Sequence, residues 1–331
     1  MSLHSPQATP PVRRTRRLPP AVSAAAVVAT VTAVATISTS SIALADGTAG
    51  PSATGTATGT RATQTLCGST LGVGNGGNWQ DGLENEDARY EGLEAIRIYY
   101  GGLPQAWPGK VDVGGRPLTV SFKAAPTDII DNTNGTLDTL RNWFATAPVD
   151  QDIYWSYYHE PEDNIKNGEF TAQQYRDAWK VLAQAAAETN HPRLRATLIL
   201  MEWSLQPASG RNWRDYYPGA DTIDVLGWDA YSSTKPAPTT YRAPEDMFGQ
   251  IAQISDQEGL PFAIPETGTG LVTGDSGTGR AQWLRDVSSY LTEHGALFAE
   301  YFDEDWRTHD GPDYRLTDRP SRQAWTDFCN P

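Results

Sequence analysis

From residue 67 onward the chain alternates between short apolar or β-branched runs and longer amphipathic stretches. The runs are "STLGVG" (69–74), "AIRIYY" (95–100), "PLTVSFK" (117–123), "DIYWSYYH" (152–159), "RATLILM" (195–201), "IDVLGWDAY" (223–231), "PFAIPE" (261–266) and "LFAEYF" (297–302). Helical periodicity is predicted around 84–93, 136–146, 171–189, 245–258, 279–294 and 321–328. The second and fifth intervals offer only short turns, "LPQAWPGK" and "GRNWRDYYP". Thr171 with Gln174 three residues on is a capping-box signal, and Gly259 and Gly295 each close a helix ahead of a strand. Tyr175, Ala178, Trp179, Leu182 and Ala186 fall on one helical face, and Trp143, Trp179, Trp283 and Trp325 read as helix-to-sheet packing. Eight strands alternating with helices over about 265 residues predict an α/β fold of one domain, a (β/α)8 TIM barrel. An open doubly wound sheet is the competing architecture. It wants a phosphate-binding glycine fingerprint leading into a helix, and "GVGNGGN" (72–78) reads instead as a loop.

The first 66 residues have another character. Arg13, Arg14, Arg16 and Arg17 precede an apolar, Ala/Thr/Ser-rich run ending at Ala43-Leu44-Ala45. This is the pattern of a signal peptide, residues 1–45, cleaved after Ala45, and it implies a secreted, extracellular protein. Residues 46–66 are a flexible Gly/Ala/Thr-rich linker, and 67–331 form the folded domain. Loss of the four leader arginines takes the net charge from −14 to −18. Such a surface repels nucleic acid and anionic membranes but admits a neutral polymer. Two cysteines, Cys67 and Cys329, sit at opposite ends of the folded part; in an exported chain they read as a disulfide that closes a ring.

In a (β/α)8 barrel chemistry gathers at the C-terminal ends of the strands. Strand four ends in His159-Glu160-Pro161, strand six in Trp228-Asp229-Ala230-Tyr231, and strand seven in Pro265-Glu266-Thr267-Gly268. Strand five ends in Glu202-Trp203 and strand eight leads into Trp306. Carboxylates move protons or attack an anomeric carbon, and aromatic faces stack on sugar rings, so acids and aromatics at strand ends point to carbohydrate. Strand alternation puts Ser156, Tyr158 and Glu160 on one face, and Phe262, Ile264 and Glu266 on one face. If both faces look inward, the two glutamates meet over the barrel axis.

The motifs "YYHEP", "IDVLGWDAY" and "IPETG" together resemble a clan A glycoside hydrolase and are most similar to family 26, whose members include β-mannanases. That resemblance implies a (β/α)8 barrel in which Glu160 is the acid/base and Glu266 the nucleophile of a retaining hydrolysis. His159 matches the family's histidine before the acid/base, and Tyr231 its tyrosine that bonds the nucleophile. The chain departs from the pattern where Pro161 and Glu162 follow the His-Glu pair and where Thr267 follows Glu266. The resemblance implies β-1,4-mannan as substrate, with xylan and mixed-linkage β-glucan next. Arg97 is a candidate to hold Glu266, and Trp203, Trp228, Asp229 and Trp306 are candidate sugar-binding residues.

Two other chemistries lack their signatures. The paired histidines of a zinc protease are missing, since Pro161 breaks any helix after His159 and the five histidines are scattered. No G-x-S-x-G nucleophile elbow occurs; "GDSGTG" (274–279) has the wrong spacing. No metal or cofactor is implied, and the partner expected is a poly- or oligosaccharide. A rival of a different class, a non-catalytic sugar-binding barrel, shares the aromatics and does not need both carboxylates.

Overall fold

The sheet closes on itself. In the computed structural model, which describes residues 64–72 and 77–331, eight parallel strands pair in chain order and the eighth returns to the first. The strands are β1 (Leu66–Thr70), β2 (Ala95–Tyr99), β3 (Leu118–Phe122), β4 (Ile153–Tyr157), β5 (Leu194–Met201), β6 (Val225–Tyr231), β7 (Phe262–Gly268) and β8 (Phe298–Tyr301). The helices are α1 (Trp79–Tyr90), α2 (Pro126–Ile130), α3 (Thr136–Ala145), α4 (Glu162–Lys166), α5 (Ala172–Ala187), α6 (Pro244–Glu258), α7 (Thr278–Glu293) and α8 (Arg319–Cys329). The expected leader, nearly all of the expected linker and part of the glycine-rich stretch lie outside the described residues. Among the described residues, no helix is long and apolar enough to cross a membrane.

The first strand begins earlier than expected, at Leu66 rather than Ser69, and Thr65 is already tied in through its hydroxyl to the Ala296 carbonyl at 2.8 Å. The two intervals without helical periodicity indeed hold no α-helix. Between β2 and β3 the outer wall is sealed by Tyr100, Val111 and Val113. Trp107 stacks there on Trp143 at 4.7 Å. Between β5 and β6 three short 3-10 turns do the same, with Trp213 edge-on to Trp228 at 5.8 Å. Elsewhere the predicted devices form. Thr171 and Gln174 make the capping box of α5, and Tyr175, Trp179 and Leu182 are fully buried beneath it. Trp143, Trp283 and Trp325 are likewise buried between helix and strand.

Inside the ring the floor is apolar. Ala95, Val225, Ala263 and Phe298 pack together there with Leu66 and Tyr154 at its edge. Two residues further along their strands the interior turns polar: Arg97 follows Ala95, Ser156 follows Tyr154, and Glu300 follows Phe298, all fully buried. Gly68 lies beside Glu300 in the β1–β8 register, and a β-carbon on Gly68 would come within 2.7 Å of the Glu300 Cγ. Glycine in β1 is thus what lets a carboxyl occupy the barrel interior.

Simple alternation does not aim the two glutamates. In β7, Phe262 and Ile264 pack outward among the helices, while Ala263 faces the floor. Gly227 pairs with Ala263 but Asp229 pairs with Glu266, so two steps on β6 oppose three on β7. The β7–β8 pairing slips over the same stretch. Pro265 lies in this bulge, because it has no N–H to give to the ladder. The extra residue turns Glu266 to the interior, the face opposite to that of Ile264. In β4 the pleat ends at Tyr157, and Tyr158 and Glu160 both take left-handed backbone conformations, φ 50° and 49°. Hydrogen bonds hold them there: Tyr158 N–H donates to the Phe122 carbonyl and Glu160 N–H to the Ile199 carbonyl, at 2.8 and 3.0 Å. The expected shared face of Tyr158 and Glu160 therefore does not exist. The Tyr158 ring packs edge-on to Phe170, 4.8 Å away.

Cys67 in β1 is bonded to Cys329 at the end of α8, 262 residues away. The bond joins the first strand to the last helix, where a barrel assembled from one chain has its only seam. Replacing both cysteines with serine should lower the unfolding free energy by roughly 2–5 kcal/mol, the range expected when a long loop is opened. Denaturant titration of the double variant checks this, and an unchanged midpoint would contradict it.

Candidate active site

Glu266 leaves β7 at the barrel mouth, 6% exposed. Three side chains donate to its carboxylate. Arg97 Nη2 and the Tyr99 hydroxyl reach Oε1 at 3.2 and 2.9 Å, and the Tyr231 hydroxyl reaches Oε2 at 2.5 Å. Burial, with Glu266 adding to it, pushes the phenols of Tyr99 and Tyr231 well up, so both remain donors. Burial works against the Arg97 charge, but its surroundings, the paired Glu266 among them, outweigh that and keep it protonated. Its guanidinium also lies 4.4 Å from the centre of the Tyr99 ring. Both carboxyl oxygens of Glu266 thus accept, Oε1 from a buried guanidinium and a phenol and Oε2 from a phenol.

Glu160 has the opposite surroundings. Its carboxyl accepts no hydrogen bond among the described residues. Burial, then the charges of Glu266 and Glu162, push it up to about 8 against the pull of Arg97 and Lys123. The two glutamates thus have opposite surroundings, one met by three donors and the other raised by burial and like charge. His159, beside it, places its ring 5.4 Å from that of Tyr99. Burial, then Arg97 and Lys123, hold the imidazole well below its usual range, so it is neutral.

Asp229 is 3% exposed on β6 beside Glu266. Burial, then the Glu266 charge, raise its carboxyl well above the ordinary range. Among the described residues the Arg97 guanidinium bonds Glu266 and neither of the other two interior acids, Asp229 and Glu300, whose carboxyls burial raises.

The remaining expected residues divide. Trp203 (47% exposed) and Trp306 (40% exposed) stand open beyond β5 and β8. Trp228 does not: its indole is 1% exposed on the outer side of β6 against Trp213, which leaves no face for a sugar. Alternation explains the difference, since Asp229 and Tyr231 point in and Trp228, one residue before Asp229, must point out.

Several contributors were not foreseen. Tyr99 was legible, two residues after Arg97 on the same strand face. Glu162, the departure after Pro161, is buried and anchors the β4 loop to β5. Its Oε1 accepts from the Met201 N–H at 2.8 Å and the Ser204 hydroxyl at 2.9 Å, and burial pushes it up to about 7. Glu300 and Tyr314 gave no signal along the chain. Glu202 at the end of β5 is structural, paired with Arg242 through bonds of 3.1 and 3.0 Å.

No protein-family profile matches the chain, and no curated protein matches it in sequence. Solved structures do. The GH26 domain of an endo-β-mannanase/endo-β-glucanase from Prevotella bryantii superimposes with a TM-score of 0.55 at 12% identity, covering 81% of this chain and 89% of that one. The catalytic domain of a GH26 endo-β-1,4-mannanase from Bacillus sp. JAMB-750 gives 0.55 at 13% identity, covering 81% and 86%. A glucosidase from Croceicoccus marinus gives 0.57 at 13% identity, covering 81% and 68%. At these identities the likeness is one of fold, that of the GH26 barrels.

The buried Glu300 generates a pH effect on stability. Burial is the main cause of a rise from 4.5 to about 8, with Arg97 opposing it. A carboxyl raised on folding stabilises the protein fully below its unfolded value, and that contribution is lost as pH climbs through the folded value. Glu300→Gln removes the ionisation, so its melting temperature should match that of the parent at about pH 5 and exceed it by several degrees at about pH 9. Thermal melts at both pH values test this; an equal difference at both would contradict it.

Proposed function

We propose that the protein is a retaining glycoside hydrolase that cleaves β-linked polysaccharide by double displacement. The observation that carries the reading is the contrast between two carboxyls at one barrel mouth. Glu266 is surrounded by three donors, one of them a buried arginine, while Glu160 is undonated and raised to about 8. The GH26-like fold supports the same conclusion. In this reading Glu160 gives its proton to the glycosidic oxygen while Glu266 attacks the anomeric carbon, forming a glycosyl ester. Glu160, now ionised, takes a proton from water as the water displaces Glu266, and the configuration is kept. Tyr99, Tyr231 and Arg97 hold the nucleophile, and neutral His159 orients the acid or bonds a sugar hydroxyl.

β-1,4-Mannan is the first substrate to try, because two of the structures compared above are named as mannanases. Xylan and mixed-linkage β-glucan follow. Trp203 and Trp306 serve as sugar platforms. The acidic surface suits an uncharged polymer, and the leader pattern with the disulfide supports an extracellular protein.

A reducing-sugar assay across mannan, xylan and mixed-linkage β-glucan tests the activity, and proton NMR of fresh product tests retention. Glu266→Ala should abolish hydrolysis while leaving oligosaccharide binding in place. Glu160→Gln should lower kcat on unactivated polysaccharide by about 10²–10⁴-fold. Inverted product overturns the assigned roles, and a parent chain that binds but cleaves nothing favours the non-catalytic barrel.

The pH profile is a further expected outcome. Glu160 must be protonated to act, so activity falls as pH rises through about 8. The charge of Glu162 helps hold that value up. Glu162→Gln keeps the oxygen that accepts from Met201 and Ser204 but loses the charge. Its alkaline limb should move down by about 0.5–1 pH unit; a limb that stays in place would remove Glu162 from the account.

A further inference from the structure

Beyond β8 the chain makes a hairpin that none of the matched motifs includes. Trp306 N–H donates to the Pro312 carbonyl and Tyr314 N–H to the Glu304 carbonyl, at 3.1 and 3.0 Å, with an antiparallel bridge between Asp305 and Asp313. Two arginines lace its strands together. Arg315 bonds Asp313 at 2.8 Å and Asp305 at 3.1 Å, and Arg307 bonds Asp305 at 2.6 Å. The hairpin is also pinned from beneath. Buried Arg280 of α7 donates to the carbonyls of Thr269 and Arg315 at 3.2 and 3.1 Å, and the Tyr301 hydroxyl donates to the Tyr314 carbonyl at 2.7 Å.

The result is a fixed position for the Tyr314 ring. It is 3% exposed, 5.1 Å from the ring of Tyr231 and 5.5 Å from that of Phe302. It lies flush against Gly268, two residues past Glu266, where a β-carbon would come within 3.0 Å of its Cδ1. The neighbouring tyrosines each commit their hydroxyl to the protein: Tyr99 and Tyr231 to Glu266, and Tyr301 to the hairpin. The Tyr314 hydroxyl has no such partner among the described residues, and it is not one of the buried unpaired polar atoms. It is therefore the open end of an otherwise enclosed side chain.

We infer that Tyr314 is a further catalytic residue of this site, whose hydroxyl donates a hydrogen bond to the sugar ring held between Glu160 and Glu266. The inference rests on the hydrolase reading and adds to it a substrate contact carried by the β8–α8 connection. Burial, then the charges of Glu266 and Glu160, push the phenol up, so it remains a donor over the whole working range and lies within reach of both carboxyls' fields. A tyrosine placed for packing alone has no use for its oxygen here, since Phe302 already fills the same wall.

Tyr314→Phe keeps the ring against Tyr231, Phe302 and Gly268 and removes only the donor. On whichever of glucomannan, xylan or mixed-linkage β-glucan the parent cleaves, kcat/KM should fall about tenfold or more. The melting temperature should stay within about 1 °C, and the loss should lie in kcat as well as KM. Wild-type kcat and KM in this variant overturn the inference and leave the hydrolase reading intact. A parent chain that cleaves none of the three overturns both.

Discussion

The Arg97–Glu266 pair governs the rest of the site. A guanidinium in a dry barrel interior is costly unless its charge is answered, and here the answering carboxylate is at the mouth, where a reacting sugar would lie. Once that pair is formed, the neighbouring acids have no cation left. Asp229 and Glu300 keep their protons because burial and Glu266 disfavour a second negative charge, and Glu160 keeps its own for the same reasons. The contrast in surroundings between two chemically identical side chains follows from which of them the arginine reaches.

Geometry had to be bent to bring this about. A regular strand would have sent Glu266 out with Ile264 into the helical layer; the bulge at Pro265 turns it in. Gly227 on β6 makes room for the bulge, since a β-carbon there would lie 3.1 Å from the Pro265 ring. On β4 two non-glycine residues accept left-handed backbone, at a cost of order 1 kcal/mol each, so that His159 and Glu160 both face the site. Backbone bonds to β3 and β5 hold the strained turn, and Glu162 fastens its far side to β5. Strain of this kind persists only where the surroundings overdetermine it, as the backbone bonds of Tyr158 and Glu160 do here.

Around this rigid centre the connections do different work. Two of them have given up their α-helices and seal the barrel wall with tryptophans instead, which leaves their length free for the rim. The β8–α8 connection is instead laced by charges and pinned by a buried arginine. Exposed Trp306 and enclosed Tyr314 ride on it together, so its bonds fix both rings relative to Glu266.

The eight-strand order, the six longer helices with their caps and the two helix-free intervals were written in local pattern, because periodicity and capping depend on near neighbours; the Cys67–Cys329 pairing was read from there being two cysteines in an exported chain, and the short α2 and α4 carried no periodic signal. Arg97 and Tyr99 were readable from alternation along β2. Strand ends named Glu160 and Glu266 as candidates, yet the alternation used to aim them fails on both strands, since a bulge and a left-handed turn reverse it. The exposed platform expected at Trp228 is buried for the same reason alternation succeeds on β6. Glu300, its glycine niche at Gly68, and Tyr314 became visible only with the closed ring. Each depends on a neighbour more than 30 residues away, and one chain read in order carries no record of which distant groups share a dry interior.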